Sequence, residues 1–242
     1  MIEQNNTIGS SYFESLNVRL EKRFSGGLTL VANYIHSRLE ERMTWLNNDD
    51  PQPEKRVSPF DHPNRLVLAN VYELPFGQGK RFLNSSSRWM NLLVGGWGIS
   101  SIYTYQTGAP ITWVNGSTNS PGDYVYFGDK IVLNNRQTNG VAFNTSAFDT
   151  DSTHSFQYHI RTFSTTFGNL RQDGINEWSP AILKRFTIKE GMGFELRGEA
   201  YNSLNHPTFA APNTTANNTA FGVINAQANR PRTLQLIGRF YF

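Results

Sequence analysis

An all-β fold built as an antiparallel meander of long strands is predicted by three observations. Apolar and polar residues alternate with period two along seven segments, sustained helical periodicity is almost absent, and glycine-centred turns join several of the segments. Composition narrows the class further. The chain has 242 residues and no cysteine, so it is not a disulfide-stapled mini-protein. Charged residues make up 17%, well under the usual quarter, while aromatics reach 13%. The net charge of +3 is scattered along the chain, which argues against a nucleic-acid binder.

The first strand runs from Leu16 to Phe24, with Leu16, Val18, Leu20, Lys22 and Phe24 on one face and Asn17, Arg19, Glu21 and Arg23 on the other. Ser25-Gly26-Gly27 supplies the positive-φ positions of a tight hairpin, and Leu28 to Ser37 returns as the second strand. Asn64 to Leu74 is the third. Gly96 to Thr107 is the fourth, with Trp97, Ile99, Tyr103 and Tyr105 on one face. Asn176 to Thr187 is the fifth. In the sixth, Phe194, Leu196, Gly198 and Ala200 alternate with Glu195, Arg197, Glu199 and Tyr201. The seventh ends the chain, setting Leu234, Leu236, Gly238, Phe240 and Phe242 against Thr233, Gln235, Ile237, Arg239 and Tyr241. A small hairpin, Tyr124 to Phe127 with Lys130 to Leu133, is predicted between the fourth and fifth strands.

Segments of about 9–12 residues exceed the usual strand and match the length that crosses a bilayer core at a tilt. The connections alternate between short and long, so in a meander the three longest (Arg38 to Pro63, Gly108 to Ile175 and Asn202 to Pro231) emerge at one rim. Short turns at one rim and long loops at the other are the pattern of outer-membrane barrels. Tyr12, Trp97, Trp178, Phe186, Phe240 and Phe242 fall near strand ends, where aromatic girdles sit. The longest apolar run, Leu92 to Ile99, contains three glycines and is too short for a membrane-spanning helix. The start of the chain has no basic-then-apolar secretory pattern, so either the protein stays inside or a longer precursor supplies the signal.

Several blocks resemble TonB-dependent outer-membrane transporters of the Oar-like type. They are Asn17 to Thr29, Phe60-Asp61-His62-Pro63-Asn64-Arg65, Tyr72-Glu73-Leu74-Pro75-Phe76-Gly77, Gly95-Gly96-Trp97 through Gln106-Thr107-Gly108-Ala109-Pro110, Phe167-Gly168-Asn169, and Leu196 through Tyr201-Asn202 to Phe209. Pro231 to Phe242 resembles the last strand of such barrels. The resemblance implies that residues 1–242 form the C-terminal portion of an outer-membrane β-barrel, about seven transmembrane strands of a barrel of about 22. The plug domain and the motif that contacts the energising inner-membrane protein are not recognisable in this chain. The sequence departs from the family pattern at Gly238, which breaks the apolar alternation of the last strand, and at Pro180 and Ser179 in the fifth strand.

From this resemblance follow the expected roles. Leu234, Leu236, Phe240 and Phe242 form the C-terminal signal read by the barrel-assembly machinery. Arg19, Glu21, Arg23, Glu195, Arg197, Glu199 and Arg239 line the lumen as a ladder of alternating sign. Trp45, Tyr124, Tyr126, Phe148 and Tyr158 in the long loops are the expected substrate contacts. The implied function is TonB-dependent uptake or translocation of an unidentified substrate across the cell outer membrane of a Gram-negative-type envelope. The implied partners are outer-membrane lipid, the assembly machinery and, through a plug, the TonB system.

No enzymatic constellation is found, and neither a cofactor nor a metal is expected. Gly77-Gln78-Gly79-Lys80 lacks the spacing and the Ser/Thr of a P-loop and reads as a polar turn. Asp49, Asp50 and Glu54 read as a solvated acidic loop, and the spacing of Asp149, Asp151, His154 and His159 matches no established metal pattern. Periodicity alone also fits a soluble β-sandwich that presents aromatic loops to a glycan or protein, or a small porin-like barrel. In a sandwich the apolar faces would be buried between two layers.

Overall fold

A computed structural model describes residues 7–47, 49–85, 87–113, 125–133, 140–154, 160–215 and 218–242. The seven long strands are β1 (Ser10–Ser25), β2 (Leu28–Arg42), β4 (Asn64–Glu73), β5 (Trp97–Gln106), β8 (Ile175–Lys189), β9 (Met192–Tyr201) and β10 (Thr233–Tyr241). Each pairs antiparallel with the next in one sheet, in the order β1-β2-β4-β5-β8-β9-β10. This is the predicted meander. Among the described residues no second layer covers either face, so the sandwich alternative is not the fold. The other strands, β3 (Arg56–Val57), β6 (Pro110–Thr112) and β7 (Thr166–Arg171), are short and lie in the long connections.

Register assigns the faces, because residues directly opposite one another point the same way. Leu20, Ala32, Leu68, Tyr103 and Trp178 form one row across five strands. Tyr72, Ile99, Ile182, Gly198 and Leu236 form another on the same face. That face is the apolar one, and it is open: Leu236 is 90% exposed and Ile182 49%. The opposite face carries the charges, yet the Glu195 and Glu199 side chains are only 18% and 15% exposed. On β8–β10 the large apolar residues are thus more exposed than the carboxylates of the opposite face, the inverse of a water-soluble sheet, and the arrangement fits a bilayer outside and a polar lumen inside. Trp178 and Phe186 on this apolar face are eight residues apart in β8. That is roughly 26 Å of strand, or about 20 Å of height at a tilt near 40°, so the rings bracket a band close to the ~25 Å apolar belt of such barrels.

Local departures from the predicted pattern have physical reasons. β1 and β2 extend outward to Ser10 and Arg42, beyond the predicted Leu16 and Ser37. In this extension the alternation is carried by polar pairs such as Tyr12 with Glu14 and Arg38 with Glu40, which suits strands standing in water. The Gly26 and Gly27 turn has φ +61° and +85°, as a two-residue primed turn requires. Gly238 leaves room on the apolar face, since a Cβ there would lie 3.5 Å from the Phe194 ring. Pro180 stands one residue before the ladder with β9 begins at Ala181, where a missing N–H costs little. A short helix, α1 (Arg88–Val94), occupies the connection after β4, which the alternation did not foretell. Nor does the predicted hairpin after Gly108 form within the described residues. Phe127 instead donates to Ala147 and Asp149 to Val125, because pairing this way buries Phe148.

Ile182 lies midway between the aromatic rows on the lipid-side face, whereas Ile102 faces inward. Ile182→Arg is expected to lower unfolding free energy in lipid vesicles by about 2–4 kcal/mol and Ile102→Arg by less than about 1 kcal/mol. Denaturant titration of the two variants checks the assignment of faces; equal costs, or the reverse order, would contradict it.

Candidate functional site: inner wall and outer cap

The inner wall has two chemistries. Its centre is made of small and apolar residues, Val31, Ala69, Ile102, Ala181 and Leu183 among them, around a half-open hollow of about 510 Å³. Its β8–β10 side is ionic. Arg185 donates to Glu195 at 2.8 Å, Arg197 to Glu199 at 2.5 Å, and the Tyr201 hydroxyl also donates to Glu199. Every second residue of a strand faces the lumen, so Glu195, Arg197 and Glu199 of β9 come into reach of one another and of Arg185 on β8 without any turn or loop.

The long connections fold together into a cap with the one hydrophobic core cluster of the described residues. Ile111, Trp113, Phe143, Phe148, Phe163 and Phe221 are all buried there. Trp113 stacks on Phe148 at 5.5 Å, and Phe143 meets Phe221 edge to face at 5.2 Å. Phe221 comes from the β9–β10 connection and the others from the β5–β8 connection, so two loops share one core. The third loop is bound by polar clamps. Asn47 accepts from the Arg161 backbone N–H at 2.7 Å and donates to its carbonyl at 3.1 Å. Arg56 pairs with Glu41 at 2.9 Å and donates to the Thr165 hydroxyl, tying β3 to the segment before β7.

The cap is fixed to the sheet by a buried ion pair. Asp61 is 2% exposed; one carboxylate oxygen accepts from the Leu39 backbone N–H at 2.7 Å and the other from Arg171 at 2.6 Å. Arg171 also donates to the carbonyls of Asp61 and Gly108. The neighbouring His62 contacts the Thr107 carbonyl at 2.8 Å. One short block, Asp61-His62-Pro63, thereby joins β2, β7 and the end of β5 at the rim. Asn202 and Asn205 make the matching corner after β9. Both have positive φ, which Asn tolerates, and their side chains reach Arg230 and Arg232 across the loop.

Comparison with known families decides what this architecture is. The sequence profile of the outer membrane beta barrel domain matches residues 1–235. The chain belongs to the outer membrane β-barrel domain family. No curated protein and no solved structure matches it. Membership of this family places the protein in the outer membrane.

In this outer membrane β-barrel domain the residues expected to line the lumen, Arg19, Glu21, Arg23, Glu195, Arg197, Glu199 and Arg239, share the inward face by register. They do not form one continuous ladder. Arg19 and Arg23 flank Glu21 along β1, and Arg239 stands opposite Glu195, whose salt bridge goes to Arg185. Arg185 of the fifth strand joins this network although the expected lumen residues lay only in the first, sixth and seventh strands. Leu234, Leu236 and Phe240 point outward on the edge strand β10, and the Phe240 and Phe242 rings lie 6.2 Å apart.

The expected loop contacts divide. Phe148 is 3% exposed and is a core residue of the cap, which corrects its reading as a surface contact: an aromatic in a loop that builds its own core is buried by it. Tyr126 is half-buried against Phe148, Phe163 and Phe167, with its hydroxyl donating to the Asp129 carbonyl. Trp45 is half-buried in the β2–β4 connection. Tyr124 and Tyr158 lie outside the described residues, as does His159.

The acidic loop residues serve local structure. Asp50 accepts from the Asn47 backbone and Glu54 from Thr165. Asp149 pairs with His154 at 2.9 Å, while Asp151 accepts from the backbone and hydroxyl of Thr153. Among the described residues no group of three acidic or histidine side chains is placed to hold a metal ion.

Removing the Asp61 carboxylate takes from the Arg171 guanidinium its 2.6 Å ion-pair partner in a largely buried site. Asp61→Ala is expected to cost the docking of the cap about 3–5 kcal/mol. Limited proteolysis should then cut within residues 108–174 while the long strands stay protected; an unchanged digestion pattern would contradict the latch.

Hydrogen bonding to Asp149 raises the His154 pKa above its ordinary value, and a backbone hydrogen bond from Asp151 together with His154 lowers that of Asp149. The His154 contribution to local stability is therefore full below the unfolded histidine pKa of about 6.5 and is lost as pH rises through the higher folded value. The Asp149 contribution is present above its unfolded pKa and is lost as pH falls through its lowered folded one. Histidine NMR titration should show the His154 midpoint fall on Asp149→Asn; no change would rule the pair out.

Proposed function

We propose that this β-barrel domain is the wall and outer gate of a TonB-dependent receptor of the Oar-like type, and that it takes up an unidentified substrate across a Gram-negative-type outer membrane. The observation that carries this reading is the joining of two features at one rim: a concave wall with ionic and apolar sectors, and long loops condensed into a packed cap above it. A passive pore needs an open mouth. A cap with an aromatic core, latched to the strands by a buried ion pair, suits selection of cargo and a controlled passage instead.

The sheet edges support a segment of a larger ring. Among the described residues β1 and β10 each pair on one side only, and an open edge is not tolerated in hydrocarbon. Further strands complete the ring, and a barrel of about 22 strands leaves a lumen wide enough for a plug. The plug would rest on the inner wall and connect it to the TonB system. β10, with Leu234, Leu236, Phe240 and Phe242 outward, is the strand that the assembly machinery would read. The work is binding and passage, without catalysis.

The test compares what cells remove from a complex medium. Strains lacking this gene, or lacking the energising inner-membrane protein, should leave the same solutes behind. Solutes whose removal needs this gene but not the energising protein would identify a passive pore and overturn the proposal.

A further inference from the structure

The connection between β4 and β5 lies at the short-turn rim, yet it is far from a minimal turn. From Leu74 to Gly96 it holds Lys80, Arg81 and Arg88 and no acidic residue, together with a run of large apolar side chains. Ser87 caps α1 by accepting from the Met90 N–H at 3.3 Å. Asn91 turns back to accept from Gln78 at 2.8 Å, so the helix and the Gly77–Lys80 turn form one unit.

The helix is fastened to the lipid-side face. Trp97 and Lys184 are register partners on that face, the same one that carries Ile182, Leu196 and Leu236. The Trp97 indole donates to the Leu93 carbonyl at 2.8 Å, and the Lys184 ammonium donates to the carbonyls of Leu93 and Gly95. These bonds satisfy carbonyls that a helix C-terminus leaves free, with a cation where the dipole favours one. Lys184 also lies 5.1 Å from the Trp97 ring centre and 5.2 Å from that of Phe186. An outward lysine at the edge of the apolar band is thereby covered by the helix it holds.

The free side of α1 is apolar. Trp89 is 80% exposed and Leu93, one turn on, 72% exposed, with Met90 beside them. Phe76 and Phe82, with rings 5.7 Å apart, extend the same chemistry into the preceding turn, where Arg81 lies over Phe82. Lys80 is paired with Glu73 at 2.9 Å, which leaves Arg81 and Arg88 as the basic residues of the connection. Three large apolar residues on a two-turn helix, continuous with the lipid-side band and with these two arginines in the same connection, match an interfacial helix at a phospholipid surface.

We propose that α1 is an in-plane anchor that buries Trp89, Met90 and Leu93 in the phospholipid leaflet on the short-turn side of the outer membrane, with Lys184 and Trp97 holding it against the barrel wall.

The chain has no cysteine, so a single introduced thiol can carry a nitroxide label. Trp89→Cys, Leu93→Cys, Leu236→Cys in the apolar band and Val125→Cys in the cap would each be labelled in the full chain. The complete barrel that contains this chain would be folded into vesicles of phosphatidylethanolamine with a minority of phosphatidylglycerol, and folding verified by heat-modifiable gel mobility. The ratio of collisions with oxygen, which partitions into lipid, to collisions with a water-soluble nickel chelate should be several-fold higher at positions 89, 93 and 236 than at 125. A water-like ratio at 89 and 93 with a lipid-like ratio at 236 would overturn the anchor alone. A water-like ratio at 236 as well would overturn the placement of the sheet on which it rests.

Discussion

Hydrocarbon offers no partner to a backbone N–H or C=O, and every other feature of this protein answers to that constraint. Seven long strands satisfy it by pairing in sequence, each with its neighbour, and the register shifts within the long-strand ladder fall near the short-turn rim, between Lys22 and Ser25 and between Thr187 and Lys189. Within the band the ladder is unbroken where two neighbours are present. Pro180, which has no N–H, stands where β8 has not yet met β9. Polar side chains on the lipid-side face obey the same rule: Ser101 donates to its register partner Asn70 at 2.6 Å, so neither oxygen is left bare.

The same constraint reverses where hydrophobicity can be used. The sheet turns most of its large apolar side chains outward, on lipid, and lines its inner wall with ion pairs beside a small-residue and aliphatic sector, so it has no packed interior of its own. A conventional core appears only beyond the band, where the long connections stand in water and must hold together by burial. There Trp113, Phe143, Phe148, Phe163 and Phe221 pack as a small water-soluble domain would. The two regimes meet at the rim, and Asp61 with Arg171 is the join. A buried pair suits that place because its geometry fixes the cap over the lumen, where an apolar contact would permit sliding.

Seven strands, and the faces of the first, fourth, sixth and seventh, were legible because period-two alternation is local: Leu16, Val18 and Leu20 report their side without knowledge of any partner. The short and long connections likewise gave the two rims. The site was legible only in part. Arg19, Glu21, Glu195, Arg197 and Glu199 belong to the inner wall by alternation, but their pairing depends on which strand lies beside which, and that brought in Arg185. The block Phe60 to Arg65 stood out in the sequence without an explanation; the Asp61 latch supplies it, through a partner 110 residues away.

Alternation therefore settled the fold class and, where it was clear, the direction of the strand side chains, since these need only neighbours two residues apart; for β2, β4 and β8 the register decided the faces. It had no hold on the long connections, whose order comes from contacts between loops. Phe148 looks like an exposed aromatic along the chain, and folding turned it into core because Trp113 and Phe221 arrive from distant segments. Helix α1 is the same case at the other rim. Seven residues are too few for propensity to stabilise a helix, and it exists because Ser87, Lys184 and Trp97 meet its two ends.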